Sequence, residues 1–311
     1  MKHHLSQSTI LISACLAASC SYSGEESLIR EVTFRAGFDH QETKTVIVEE
    51  EGNKYHIYWQ NGDKLSIFDD NLKECMFVSK TPGGEDSPTT DLSGSGVFNS
   101  EDFSGKTNLW GETKTYYAIY PRNQQGSVTA DGIYTVPQNI GLLQNQLAGE
   151  NNFPFSVNSS STRLSGVYVA KSSNGMFEFK NMTSYIKFTI TQSDIIKVCF
   201  NNNSTVSPKI GGNFSIDYSG DTPVIDKTNA TWNQVTLCND KNYSTPIAPG
   251  TYYLVILPSD FTEERADGAY FKMLLYTEDS GKNTVAKRID YTKPIDITPG
   301  MILDLGTITH D

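Results

Sequence analysis

The chain is poor in histidine, cysteine and positive charge, and each shortage closes a class of function. Five histidines and five cysteines are spread over 311 residues. No His-Glu-x-x-His, Gly-x-Ser-x-Gly or P-loop pattern occurs, so no catalytic residue is assigned and no enzyme is expected. No Cys-x-x-Cys or Cys/His spacing suggests a metal site, and nothing implies a cofactor. Asp69, Asp70 and Glu74 form a small acidic cluster without the glycine and spacing of an EF-hand, which fits a solvated loop. Lys and Arg number 25 against 36 Asp and Glu, a formal net charge of −11. That balance argues against nucleic acid or acidic lipid as partners, because phosphate binding needs clustered cations. Helical periodicity is scarce too. Residues 139–149 are the best helix candidate and read better as a loop with one turn.

Long apolar runs are absent except at the start. Lys2 is followed by an apolar run over residues 10–18, broken only by Ser13. The run is too short to span a bilayer and has the general shape of a secretory signal. It closes on Leu16-Ala17-Ala18-Ser19-Cys20, which resembles a lipobox, in which the cysteine is acylated and becomes the mature N-terminus. The expectation is a signal peptide over residues 1–19 and lipidation at Cys20. Ordinary secretion or a lipid on Cys15 are the alternatives. Two or three acyl chains anchor far better than one, so the product would stay on a membrane. Residues 20–30 then read as a polar, acidic tether.

Strand signals dominate the rest. Val32, Phe34, Ala36 and Phe38 alternate, as do Tyr55, Ile57 and Trp59 before Asn61-Gly62, a hairpin signal leading into residues 65–68. Residues 116–120 form an apolar strand stopped by Pro121. Further strands are expected at 177–179, 184–191, 195–200, 213–218, 232–237, 252–257, 269–277, 288–291, 295–297 and 301–305. Segments 81–96, 151–165 and 201–207 read as low-complexity loops. Strands at this frequency indicate an all-β chain of sandwiches or barrels. About 290 residues after the signal is long for one sandwich, so two domains are expected. The most linker-like point is Ser172-Ser173-Asn174-Gly175, dividing the chain into residues 31–174 and 175–311. Cys75, Cys199 and Cys238 remain after the leader. Cys199 and Cys238 lie in consecutive strand-like segments and are the candidates for a disulfide, the alternative being three buried thiols.

Four pieces, in order, resemble the fimbrillin family of Bacteroidales, the Mfa-like subunits of type V pili. They are Trp59-Gln60-Asn61-Gly62-Asp63-Lys64-Leu65-Ser66-Ile67-Phe68, then Tyr117-Ala118-Ile119-Tyr120-Pro121, then Phe177-Glu178-Phe179 with residues 182–190. The last is residues 252–258 with Lys293-Pro294 and Pro299-Gly300-Met301-Ile302-Leu303-Asp304-Leu305-Gly306. The resemblance implies two tandem transthyretin-like β-sandwich domains and a lipid-anchored place on the outer membrane. It implies as well a role as a pilus building block joined to other pilus subunits. In that family a trypsin-like protease cuts the lipoprotein precursor after an arginine, and a neighbour's strand fills the groove so opened. The physics is β-augmentation, with backbone hydrogen bonds for strength and alternate side chains for fit.

Arg30 and Arg35 are the only arginines before the first strong motif. A cut at Arg35 would free Val32 and Phe34, whereas a cut at Arg30 would leave the first strand intact, so Arg35 is the preferred processing site. Met301, Leu303 and Leu305 alternate, as a donor strand needs. The rival reading is a monomeric surface lipoprotein that binds host glycan or protein through loops, with Trp110 and Phe153-Pro154-Phe155 as candidate contacts. Trp59 reads as a core anchor before it reads as a carbohydrate contact.

Overall fold

The computed structural model describes residues 28–38, 48–50, 54–56, 64–68, 74–80, 89–98, 115–122, 127–128, 134–145, 155–156, 166–174, 176–201, 208–279 and 282–310. Among these residues every regular element is a strand, as the alternation of the sequence predicts. Seven strands close into a barrel. Around it run β1 (Leu28–Phe38), β13 (Met176–Asn181), β12 (Tyr168–Ser172), β7 (Tyr116–Tyr120), β4 (Lys64–Phe68), β5 (Glu74–Lys80) and β6 (Thr89–Phe98), which returns to β1. A separate ribbon joins β2 (Val48–Glu50) to β3 (Lys54–His56).

The remaining strands form open sheets. The largest runs β11 (Phe155–Ser156), β10 (Leu143–Asn145), β19 (Gln234–Cys238), β15 (Ile195–Asn201), β22 (Phe271–Asp279) and β23 (Lys282–Tyr291). A second runs β17 (Val224–Asp226), β16 (Gly211–Asp217), β9 (Tyr134–Ile140) and β8 (Ser127–Val128), with β18 (Ala230–Trp232) also on β16. A third has β14 (Ser184–Ile190) between β20 (Gly250–Ile256) and β25 (Ile302–Ile308), and β21 (Ser259–Phe261) pairs with β24 (Ile295–Ile297).

Burial explains which segments became central. Every residue of β7 is buried, so this strand is covered on both faces, and it reads accordingly as Tyr-Tyr-Ala-Ile-Tyr. In β13 only the alternate residues Phe177 and Phe179 are buried, so one face meets the core and the other meets water. Phe200, Phe261, Phe271 and Tyr291 make an aromatic cluster between the largest sheet and the β21–β24 ribbon. Phe200 lies 5.9 Å from Phe261 and 5.3 Å from Phe271, and Phe271 stacks on Tyr291 at 4.4 Å. Such pairs add to the area buried by each ring.

Barrel and sheets share this core. The hydroxyls of Tyr168 on β12 and Tyr185 on β14 hydrogen-bond at 2.9 Å, and both side chains are fully buried. Burial pushes the Tyr185 phenol up to about 12 and raises Tyr168 well above its ordinary value, so both stay protonated and each can donate or accept. Gly166 is obligatory beside them, since a Cβ there would sit 2.0 Å from the Tyr185 hydroxyl. Tyr218, after β16, donates to the Ala118 carbonyl of β7 at 2.8 Å.

Two expectations need correction. Residues 139–140 and 143–145 are strand rather than helical turn, because Asn139 and Ile140 pair with β16, Leu143 and Gln144 pair with β19, and Gln144 bonds both the N–H and the carbonyl of Val255. Segment 81–96 is not wholly loop: its Ser/Gly-rich end is β6, recruited between β1 and β5 by backbone pairing that needs no apolar side chain. Among the described residues β3 pairs with β2, while β4 pairs with β5 and β7. The Asn61-Gly62 turn itself lies outside the described residues, as do Trp59, Asp69, Asp70, Trp110 and Phe153. The expected division at residues 174/175 falls between β12 and β13. There β13 continues the barrel, and β8 to β11, from the first half of the chain, pair into the sheets of the second.

A charged cluster closes the β22–β23 end. Asp267 bonds Lys272 and Arg288, the latter at 3.0 Å, and Arg288 also holds Asp290 at 2.6 Å. The hydrogen bond from Lys272, opposed by desolvation and helped by the charges of Lys272, Arg265 and Arg288, lowers the Asp267 carboxyl to about 2. A depressed carboxylate contributes stability above its unfolded value of about 3.9 and loses it as pH falls toward the folded value. Asp267→Asn should therefore lower the urea midpoint by a constant amount above about pH 5, with the gap closing between about pH 4 and pH 2. A gap that widens on acidification would mean that Asp267 is not ionised in this cluster.

Candidate functional site

The two end strands hold the feature of interest. β25 is the edge of its sheet, and it lies parallel to β14 with Tyr185 opposite Ile302, Ile186 opposite Leu303 and Lys187 opposite Asp304. The register then shifts, so that Thr189 meets Thr307 and Ile190 meets Ile308. Gly306 sits at this bulge with a φ of 69°. A Cβ there would meet nothing within 4 Å, so the left-handed backbone, not crowding, asks for glycine.

The bulge changes which residues serve the core. Met301, Leu303 and Leu305 are half-buried against it, as the alternation predicts, but Ile302 is half-buried too. Ile308 is the buried residue of the strand, because the extra residue returns it to the face of Ile190. Sequence reasoning missed Ile308, since a bulge reverses parity; the Asp-x-Gly at 304–306 was the available signal.

Polar contacts fasten the strand at three points. At its start, Tyr185 donates to the Met301 carbonyl at 2.9 Å and Gly300 donates to Thr183 at 2.8 Å. In its middle, Asp304 uses one oxygen for Lys187 at 2.9 Å and the other for its own bulge, accepting from the Gly306 N–H at 2.8 Å. Lys187 is a buried lysine in the central strand of the sheet, where a charge is retained only with a counter-charge or hydrogen bonds. At its end, the His310 N–H reaches the Gln192 amide oxygen at 2.8 Å, and its ring reaches Asp194 at 2.9 Å. That contact lowers the Asp194 carboxyl.

The first strand is held asymmetrically. β1 pairs antiparallel with β6 from Leu28 opposite Phe98 to Gly37 opposite Thr89. Its parallel pairing with β13 covers only Arg35 to Phe38, which face Met176 to Phe179. Residues 28–34 are thus paired on the β6 side alone among the described residues, whereas Arg35 is paired on both sides, opposite Asp91 and Met176. Arg30, opposite Gly96, belongs to the one-sided part.

Other sequence candidates fall elsewhere. Cys20 lies outside the described residues. Cys199 and Cys238 are free, buried thiols and do not form the disulfide considered from sequence. Register explains this: Cys199 stands opposite Thr236 and Cys238 opposite Lys197, so the two are diagonal neighbours. Diagonal positions are about 7–8 Å apart, beyond the ordinary reach of a disulfide. Burial also pushes the Cys238 thiol up to about 12, and little thiolate is available for oxidation. Among the described residues no three His, Cys, Asp or Glu side chains are grouped to hold a metal ion, and no helix is long and apolar enough to cross a membrane.

Fold and site together describe an all-β chain with a one-sided first strand and an apolar last strand on a sheet edge. No family model matches this chain, and no curated protein does. Among solved structures, one provisionally assigned as a cell adhesion protein from Bacteroides ovatus is similar over 91% of this chain and 92% of its own, with 12% identity and a TM-score of 0.45. Another with the same provisional assignment, from Bacteroides uniformis, covers 90% and 93%, with 11% identity and a TM-score of 0.43. The tip fimbrial protein Mfa3 from Porphyromonas gingivalis, truncated at its C-terminus, covers 86% and 82%, with 11% identity and a TM-score of 0.29.

Proposed function

We propose that this chain is a structural subunit of a surface pilus, made as a lipoprotein acylated at Cys20 and joined to its neighbours by strand exchange. A cut after Arg35 removes the part of β1 that β6 alone holds, and a neighbour's residues 301–308 fill the gap. The observation that carries this reading is the C-terminal strand: apolar, parallel, on an edge, and secured by polar contacts that water can replace. A strand with one neighbour gives up one ladder on leaving, where a central strand gives up two. Transfer between identical chains makes a head-to-tail contact, which builds a filament rather than a closed ring.

The test is an unboiled SDS gel, immunoblotted, of material sheared from the native cell surface. Regularly spaced bands that collapse to one on boiling are expected. A single band near monomer mass that stays with the membrane pellet would remove the shaft role and leave a loop-based binder.

A further inference from the structure

We infer the register in which a second copy's C-terminal strand seats on β6. The inference rests on the strand-exchange reading and on processing after Arg35. That cut vacates eight successive positions of β6, from Phe98, opposite Leu28, to Asp91, opposite Arg35. An incoming strand running in the direction of β1 is antiparallel to β6. Its apolar residues Met301, Leu303 and Leu305 take alternate register positions among those that Leu28, Arg30, Val32 and Phe34 leave. These positions share the face of buried Phe177 and Phe179, since Ala36 and Phe38 stand opposite them. Alternation therefore allows only registers two residues apart.

Two such registers keep residues 301–305 within the slot, and the glycines of β6 choose between them. Placing Met301 opposite Phe98 puts Leu303 opposite Gly96 and Leu305 opposite Gly94, so the two large side chains meet the two positions of β6 that have none. Asp304 then stands opposite Ser95, whose hydroxyl can replace the Lys187 contact left behind. A shift of two residues sets Leu305 against Leu92 and Asp304 against Ser93. A shift of four carries Leu305 past the slot to Thr90, which Ala36 still pairs, and sets Asp304 directly opposite Asp91, where like charges across a strand pair are destabilising. In the first register, keeping the Gly306 bulge carries Ile308 to the position opposite Leu92, on the same inner face. β6 thus reads the donor by two glycines that admit leucine and one aspartate that repels aspartate. The same LDLG segment that fits its own β14 fits β6 of a second copy in this single register.

Cysteine cross-linking on the native cell surface tests the register. Directly opposite residues of an antiparallel pair lie about 4.5–5.5 Å apart, within disulfide reach, while positions two residues away do not. Full-length chains carrying Ser95→Cys with Asp304→Cys, or Val97→Cys with Ile302→Cys, should after mild oxidation give ladders that survive boiling and collapse with reductant. The second pair leaves Asp304 intact, so loss of the Lys187 contact does not confound it. Chains carrying Ser93→Cys with Asp304→Cys should give ladders only when unboiled. A boil-resistant ladder from the Ser93 pair instead, or from neither predicted pair while unboiled ladders persist, overturns the register and leaves strand exchange standing. Absence of any unboiled ladder from the parent chain removes strand exchange and the register together.

Discussion

Replacing Arg35 with glutamine should leave the chain at precursor length on the cell and abolish bands above the monomer, while Arg30→Gln should change neither. The reason is where β1 changes neighbours. Among the described residues, positions 28–34 pair with β6 alone, and at Arg35 the strand also joins β13. A cut after Arg35 frees the one-sided part and leaves residues 36–38 still paired with β13. A cut after Arg30 leaves most of the β6 ladder occupied. Because Arg35 is itself paired on both sides, a protease that binds its substrate as an extended strand must wait for that part of β1 to lift. Cleavage of the wild type should therefore be slow and should speed up in mild denaturant. Mass spectrometry of the mature N-terminus decides the matter: a start at Ala36 is expected, and a start at Glu31 would transfer the role to Arg30. A mature start at Ala36 from the Arg35→Gln chain would show that the protease does not read this arginine.

Phe200→Ala should cost about 3–5 kcal/mol of unfolding free energy, a large part of what a domain has. Phe200 is completely buried near the end of β15, and its ring touches two others of the aromatic cluster. Those two, Phe261 and Phe271, contact each other at 5.6 Å, so the cavity would be walled by rings already committed to one another and slow to collapse into it. Val285→Ala on the edge strand β23 is the control, since Val285 is 46% exposed and surface changes usually stay within about 0.5 kcal/mol. Urea unfolding of the two variants gives the comparison. A loss below about 1 kcal/mol for Phe200→Ala would show that the cluster is not a rigid part of the core.

Much of the fold was legible where apolar residues alternate against a single core. β14, β15 and β20 fall within a residue or two of their expected positions because their side chains decide their fate. β6 was not legible, since Ser93-Gly94-Ser95-Gly96 carries no apolar signal and becomes a strand through the backbone of its neighbours. β9 escaped for a different reason: Pro137 and the polar pair Gln138-Asn139 interrupt the alternation of Tyr134, Val136 and Ile140, and the strand is set by its ladder to β16. At the candidate site, the alternation of Met301, Leu303 and Leu305 could be read directly. The pairing of Lys187 with Asp304 could not, because it joins distant residues through a parallel register that no local pattern announces. Within β14 Lys187 occupies the position between Ile186 and Phe188, which looks solvent-facing until β25 covers it.

The crossing from β13 to β14 has a mechanical consequence. β1 lies parallel to β13 and β25 lies parallel to β14, and only Met182 and Thr183 separate the two receiving strands. In the uncut chain, tension applied between β1 and β25 enters β13 lengthwise and leaves through β14, with two residues of chain as the coupling. Those residues are braced: the Met182 N–H donates to Val167 at 2.7 Å, the Thr183 N–H to the Asn181 side chain at 3.0 Å, and the Thr183 carbonyl accepts from Gly300. Load along this path shears whole ladders at once instead of peeling them bond by bond, and the coupling has no slack to stretch before the ladders bear it.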